Sequence, residues 1–98
     1  MKPVTPSALA LECSALVRSL GRRTIAGELR ELNTARSGNS YFKLYDDAGS
    51  YVSCRTRIPA SELPAIGDRV IATGNVEVFA AKSLLQLAVT EIRKDGDE

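Results

Sequence analysis

Histidine and tryptophan are absent from this 98-residue chain, and aromatic residues of all kinds amount to only 5% of it. Without an imidazole there is no histidine acid/base catalysis and no Ser/His or Cys/His nucleophile, and two cysteines cannot furnish the four thiolates of a structural zinc site. Those cysteines, Cys13 and Cys54, lie 41 positions apart among apolar neighbours. Both are expected to face inward as free thiols rather than to form a disulfide. Long apolar stretches are missing too, since no uninterrupted run exceeds four residues, residues 8–11 being one such run. Neither a transmembrane helix nor a signal-peptide core can be built from that, and a cytoplasmic location is expected.

An excess of charge is also lacking. The formal net charge is +1, spread as +3 over residues 1–23, +1 over 24–60 and −3 over 61–98. Global electrostatics therefore do not mark a nucleic-acid binder, and any such activity has to come from a local patch. What remains is an ordinary globular composition, 44% hydrophobic and 26% charged, in a chain long enough for one domain, residues 1–98.

Residues 5–20 read as an amphipathic helix whose stripe is Leu9, Cys13, Leu16, Val17 and Leu20. Thr5 is placed to cap it with Pro6 in the first turn, and Gly21 to end it in a left-handed conformation. From Thr24 the period changes to two, with Ile25, Gly27 and Leu29 alternating against Ala26, Glu28 and Arg30. A polar loop at 33–40 follows, then strands at 41–46 and 51–57 joined by Asp47, Ala48 and Gly49. Glycine at the end of that turn implies the left-handed residue of a three-residue hairpin loop, which sets Asp46 against Ser50. Phe42 and Leu44 then share a face with Val52 and Cys54. On the other face Tyr45 meets Tyr51, Lys43 meets Ser53 and Tyr41 meets Arg55, with Arg57 just beyond. Residues 58–68 form a connector with one helical turn near 61–63. A fourth strand spans 69–79 with a bend or bulge at Gly74, and a fifth spans 84–92 with no clean inward parity. Residues 94–98 read as a charged, frayed end.

The expected architecture is mainly all-β: a five-stranded Greek-key barrel of the OB type over 24–93, preceded by one N-terminal α-helix. Its three tyrosines all fall on the outward face of strands two and three, interleaved with Lys43, Arg55 and Arg57. Rings that stack on bases beside cations that track phosphates are what single-strand binding requires. Arg36 on the first long loop and Lys82 on the last hairpin stand where such a barrel clamps a ligand from both sides, and Arg30 is outward on strand one. Glu28 beside it is expected to pair with an arginine or hold a loop. Arg22 and Arg23 either extend the path or cap the helix end. Asp46 and Asp47 read as turn formers rather than as a metal site, and neither a metal nor a cofactor is expected.

The ordered strings Gly27-Glu28-Leu29, Ser37-Gly38, Tyr41-Phe42-Lys43-Leu44-Tyr45-Asp46, Cys54-Arg55, Gly67-Asp68-Arg69-Val70, Gly74 and Leu85-Gln86-Leu87-Ala88-Val89 carry a resemblance. With the leading helix they resemble the N-terminal OB domain of the exodeoxyribonuclease VII large subunit over roughly residues 5–93. The connector at 58–67 is shorter than the helix that family has there, and the hairpin at 79–83 lacks a glycine. The resemblance implies a non-catalytic module that binds single-stranded DNA and passes it to a catalytic region, which these residues do not include. The chain is thus expected to be either part of a longer protein or a freestanding relative. Single-stranded DNA is the expected partner, beside a catalytic domain or other nuclease subunits, with no membrane. A second resemblance, to the tRNA-anticodon-binding OB domains of aminoacyl-tRNA synthetases, implies tRNA binding, and a protein-interaction or oligomerisation module is the third reading.

Overall fold

The computed structural model describes residues 2–82 and 84–96. Helix α1 (Pro6–Arg18) starts as the sequence requires: the Thr5 hydroxyl accepts from the Ala8 amide at 3.0 Å, with proline in the first turn. Gly21 follows at φ 67°. Five strands, β1 (Arg22–Thr34), β2 (Ser40–Tyr45), β3 (Tyr51–Thr56), β4 (Arg69–Phe79) and β5 (Leu84–Lys94), form a closed barrel in the order β1-β2-β3-β5-β4. All neighbours are antiparallel except β3 and β5, which run parallel from Ser53↔Gln86 to Thr56↔Val89. That single parallel seam is the Greek-key closure of the expected barrel.

The hairpin β2–β3 has the register that its turn dictates. Phe42 pairs with Cys54, Leu44 with Val52, Tyr45 with Tyr51, Lys43 with Ser53 and Tyr41 with Arg55. Gly49 takes φ 86°, and Asp46 Oδ1 accepts from the amides of Ala48 and Ser50 at 2.9 and 3.0 Å, which is the turn role expected of it. The core lies inside the barrel around Leu29, Phe42, Leu44, Cys54, Val70 and Leu87, with Ile25, Leu32 and Ile92 packed against it. Two buried hydroxyls, Thr56 and Ser40, are satisfied there: Thr56 donates to the Val89 carbonyl at 2.9 Å and Ser40 shares a hydrogen bond with Thr34 at 2.8 Å.

Two bulges explain what simple alternation does not. Between Arg30 and Asn33 the β1–β2 register shifts, and Glu31 sits at φ 57°. Strict alternation would send Glu31 into the core after Leu29; the extra residue turns it out and turns Leu32 in. On β5 the shift at Thr73/Gly74 leaves Thr90 without a partner, so Leu87 and Val89 face inward before it and Ile92 after it. Both parities are thus correct, each on its own side of the bulge.

Several boundaries differ from the sequence reading. Strand β1 begins at Arg22, so Arg22 and Arg23 pair with Asn75 and Gly74 rather than standing in a linker. Strand β5 continues to Lys94, so residue 94 is not frayed; Asp97 and Glu98 lie outside the described residues. The larger correction concerns α1. Its stripe does not face the core: Leu9, Cys13, Leu16 and Leu20 are exposed, and only Ala10 is buried. The barrel buries its own interior, leaving the helix just the outer end of the β4–β5 hairpin to lean on, through Ala10, Val17 and Val78. Cys13 is consequently a surface thiol.

Cys54 is the opposite case, with burial pushing its thiol up to about 12. At pH 8 a disulfide reagent should modify Cys13 rapidly and Cys54 only as the barrel opens, and Cys13→Ser should abolish the fast phase. Fast modification of Cys54 would disprove the β2–β3 register. At Gly74 an added Cβ would stand 2.0 Å from the Ala88 carbonyl oxygen. Since that obstacle is backbone, Gly74→Ala should cost about 2–3 kcal/mol and lower Tm by about 10–20 °C in a scanning melt.

Candidate nucleic-acid interface

The outward side chains of β1, β2 and β3 build one face. Across the β2–β3 pair the rings of Tyr45 and Tyr51 approach to 5.0 Å between centroids, tilted by 36°. Arg30, set against Lys43 by the β1–β2 register, places its guanidinium carbon 4.4 Å from the Tyr45 centroid. The Lys43 ammonium lies 4.7 Å from the Tyr51 centroid. Two rings and two cations thus form a compact cluster in which each ring carries a positive neighbour.

Two carboxylates organise that cluster. Glu31, turned outward by the bulge, accepts from the Tyr45 hydroxyl at 2.9 Å and from Lys43 Nζ at 3.3 Å. Those two donors hold its carboxyl below the usual carboxylate range. In return the Glu31 carboxylate, chiefly through the same hydrogen bond, raises the Tyr45 hydroxyl above its ordinary value. Glu28 pairs with Arg30 at short range, as the sequence reading expected of it, and that bond raises the arginine. Glu31 escaped the sequence reading. Its signal was there: the inward positions pass from Leu29 to Leu32, a spacing of three that a strand achieves only through a bulge.

Arg55 is placed differently from its neighbours. Across the parallel seam its Nε and Nη2 donate to Glu77 Oε1 and Oε2 at 2.5 and 3.0 Å, and Gln86 Nε2 donates to Glu77 Oε1 at 2.7 Å. Arg55 holds the Glu77 carboxyl below its usual range, against the opposing effect of partial burial. Tyr41 stands exposed beside this group. The remaining expected residues do not join the cluster. Arg36 in the loop after β1, Arg57 after β3 and Lys82 in the helical turn between β4 and β5 are exposed and form no ion pair among the described residues. The face therefore has an ordered, charge-compensated centre with uncompensated cations around it.

Residues 7–93 match a family described as OB-fold nucleic acid binding domain. The chain belongs to that family. The resemblance read from the sequence also stands: this OB-fold domain is 35% identical over 75 residues to the exodeoxyribonuclease 7 large subunit of Rhodopirellula baltica, covering 74% of the chain and 17% of that protein. It is 31% identical over 98 residues to the corresponding subunit of Campylobacter jejuni subsp. doylei, covering 95% of the chain and 25% of that protein. The chain spans a quarter or less of the length of these two relatives. In fold it is similar to a chain of a replication protein A heterotrimer solved bound to ssDNA, with a TM-score of 0.65 over 79% of this chain and 59% of that one, at 18% identity.

The Glu31 bridge has a spectroscopic consequence. Loss of the Tyr45 proton would break its bond to Glu31 and set two anions together, so Tyr45 should titrate above the ordinary tyrosine value of about 10. In Glu31→Ala it should return toward that value, as followed by NMR of ring-labelled tyrosine. No change in the Tyr45 titration would show that the bridge does not form in solution.

Proposed function

We propose that this OB-fold domain is a non-catalytic module that binds single-stranded DNA through the β1–β2–β3 face and serves as the substrate-capture part of an exodeoxyribonuclease VII-like nuclease. The observation that carries the reading is the tilted Tyr45–Tyr51 pair with Arg30 and Lys43 on its rings, a partly exposed aromatic platform already lined with cations. Bases stack on tyrosine faces and on guanidinium planes irrespective of sequence, while phosphates take the cations. Tyr41 extends the platform along β2, and Arg36, Arg57 and Lys82 are free to receive backbone phosphates at its borders. The similarity to parts of two exodeoxyribonuclease 7 large subunits supports the nuclease setting.

The exposed leucines of α1 favour a second contact of a different kind. Leu9, Leu11 and Leu16 are more than half exposed, and they lie on α1, which leans on the outer end of the β4–β5 hairpin. That end suits a protein contact, which would be insensitive to salt.

Binding of fluorescent single strands should separate these roles. With Arg36, Arg57 and Lys82 as the cations not already paired, the log–log salt slope should be about −2. Were the carboxylates partnering Arg30, Lys43 and Arg55 to give way to phosphate, it should steepen to about −4. Tyr45→Ala or Tyr51→Ala should each cost about 1–3 kcal/mol. Lys43→Glu should weaken all sequences alike, since phosphate carries no sequence information. Undetectable binding at low salt, or binding unchanged in all three variants, would refute the single-strand reading.

A further inference from the structure

We infer that the bound strand continues past the tyrosine face, over the β3–β5 seam toward the start of β1, in a groove that holds its sugar-phosphate backbone through Arg57 and Arg22. This rests on the single-strand reading above and adds to it a second segment of the path, one that takes phosphates and no bases.

The groove is a concavity of about 450 Å³ along the seam, lined on the β3 side by Arg55, Arg57 and Ile58 and on the β5 side by Ala88 and Thr90. Arg22, the first residue of β1, reaches it from the far side: its Nη2 donates to the Thr90 hydroxyl at 3.0 Å. The β5 bulge supplies that contact, because Thr90 has no partner on β4 and stands exposed. Of the two roles the sequence left open for Arg22, the guanidinium thus takes the path rather than the helix end. The last carbonyls of α1, on Leu16, Val17 and Arg18, accept from the amides of Ser19, Leu20 and Gly21.

Strand register joins the groove to the platform. Tyr41 pairs with Arg55, Arg55 with Ala88, Ala88 with Asn75 and Asn75 with Arg22. Paired residues share a face, so one row, exposed or half-buried throughout, runs from Tyr41 around the barrel to Arg22. Arg57 and Thr90 lie beside it, two positions further along the chain from Arg55 and Ala88. A strand leaving the platform at Tyr41 has a continuous surface to follow.

The lining decides what part of the strand fits. Among the described residues no aromatic ring and no carboxylate lines the groove, and its β5 side is small at Ala88 and Thr90. Bases therefore find nothing to stack on there. Phosphates do find charge. Arg57 and Arg22 form no ion pair among the described residues, and a neutral threonine hydroxyl leaves the Arg22 charge uncompensated, with further N–H donors on the same guanidinium. Glu91, the acid next along β5, is set against Thr73 and does not line the groove. Arg55, neutralised by Glu77, marks the junction between platform and groove. Two unpaired guanidiniums flanking a channel without rings suit the oxygens of a phosphodiester backbone.

The test uses the full chain and fluorescence anisotropy with a thymidine dodecamer. Its relatives carry, at one end or the other, either neutral methylphosphonate linkages or abasic sugars. Arg22→Ala and Arg57→Ala, both at exposed positions, should each weaken the natural strand about three- to fivefold, and Arg22→Lys should keep most of the affinity. Arg22 adds a fourth cation to the three unpaired ones counted above, so Arg22→Ala should flatten the log–log salt slope by about 0.7. At one end of the strand, neutral linkages should cost the parent protein affinity and cost the Arg22→Ala, Arg57→Ala double variant nothing, while abasic sugars at that end cost neither. At the other end, which lies on the tyrosines, the losses should persist in the double variant. Equal affinity of parent and double variant, or equal losses in both at both ends, would overturn the groove and leave the single-strand reading intact. A loss on removing the bases as large as on removing the charges would overturn the backbone assignment and the proposal with it. Competition by a polyglutamate peptide that the double variant escapes would give the groove to an acidic protein segment and overturn it equally. Absence of binding to every strand would overturn the single-strand reading itself.

Discussion

Pairing of β3 with β5 is the constraint on which the rest of the molecule depends. The other four strand contacts are antiparallel, three of them between strands consecutive in sequence and the fourth between β1 and β4; the parallel seam from Ser53 to Thr56 makes a ring of them. Closure removes free strand edges, which a sheet this small could not otherwise protect. It is held from inside by the Thr56 hydroxyl, which bonds the Val89 carbonyl across the seam. It also demands close approach where β4 bends, and there the Gly74 backbone lies so near Ala88 that no side chain fits. From outside, the same closure sets Arg55 of β3 beside Gln86 and Glu77, which the β4–β5 hairpin already pairs. The seam thus sets the Arg55–Glu77–Gln86 group beside the tyrosine face that β1, β2 and β3 build.

Charge on that surface is arranged in matched pairs. Arg30 has Glu28, Lys43 has Glu31, and Arg55 has Glu77. Exposed ion pairs of this kind contribute little to stability, so orientation is their main effect: each fixes a long side chain over a ring or along a strand. A compensated centre also accords with a net charge of only +1.

Most of the barrel was legible in the sequence because one turn carried it. Asp46 through Ser50 fixed the hairpin, and period-two alternation then assigned every side chain of β2 and β3 to a face. That is why the tyrosine platform could be placed before any coordinates were considered. Legibility failed wherever a strand inserted an extra residue. At Glu31 and Thr90 the alternation changes phase, so Glu31 was overlooked and β5 showed no clean parity. It failed again for contacts across the seam. A parallel register leaves no local signature, and Arg55 read from sequence was a free cation although it is tied to Glu77. The helix misled for a third reason: an apolar stripe states what a helix could bury, not what the rest of the fold leaves available for it.

That last point separates two stabilities in the molecule. The barrel has its own contiguous core, to which α1 contributes none of the fully buried members. A helix of 13 residues is marginal alone, and α1 adds to its N-cap little more than the seating of Ala10 and Val17 against the hairpin end. Opening of α1 is therefore expected to cost far less than opening of the barrel. The tyrosine platform belongs wholly to β1, β2 and β3, whose side chains touch the barrel core and each other. Its geometry follows from closure of the barrel, and whatever the exposed leucines of α1 engage can be gained or lost without moving it.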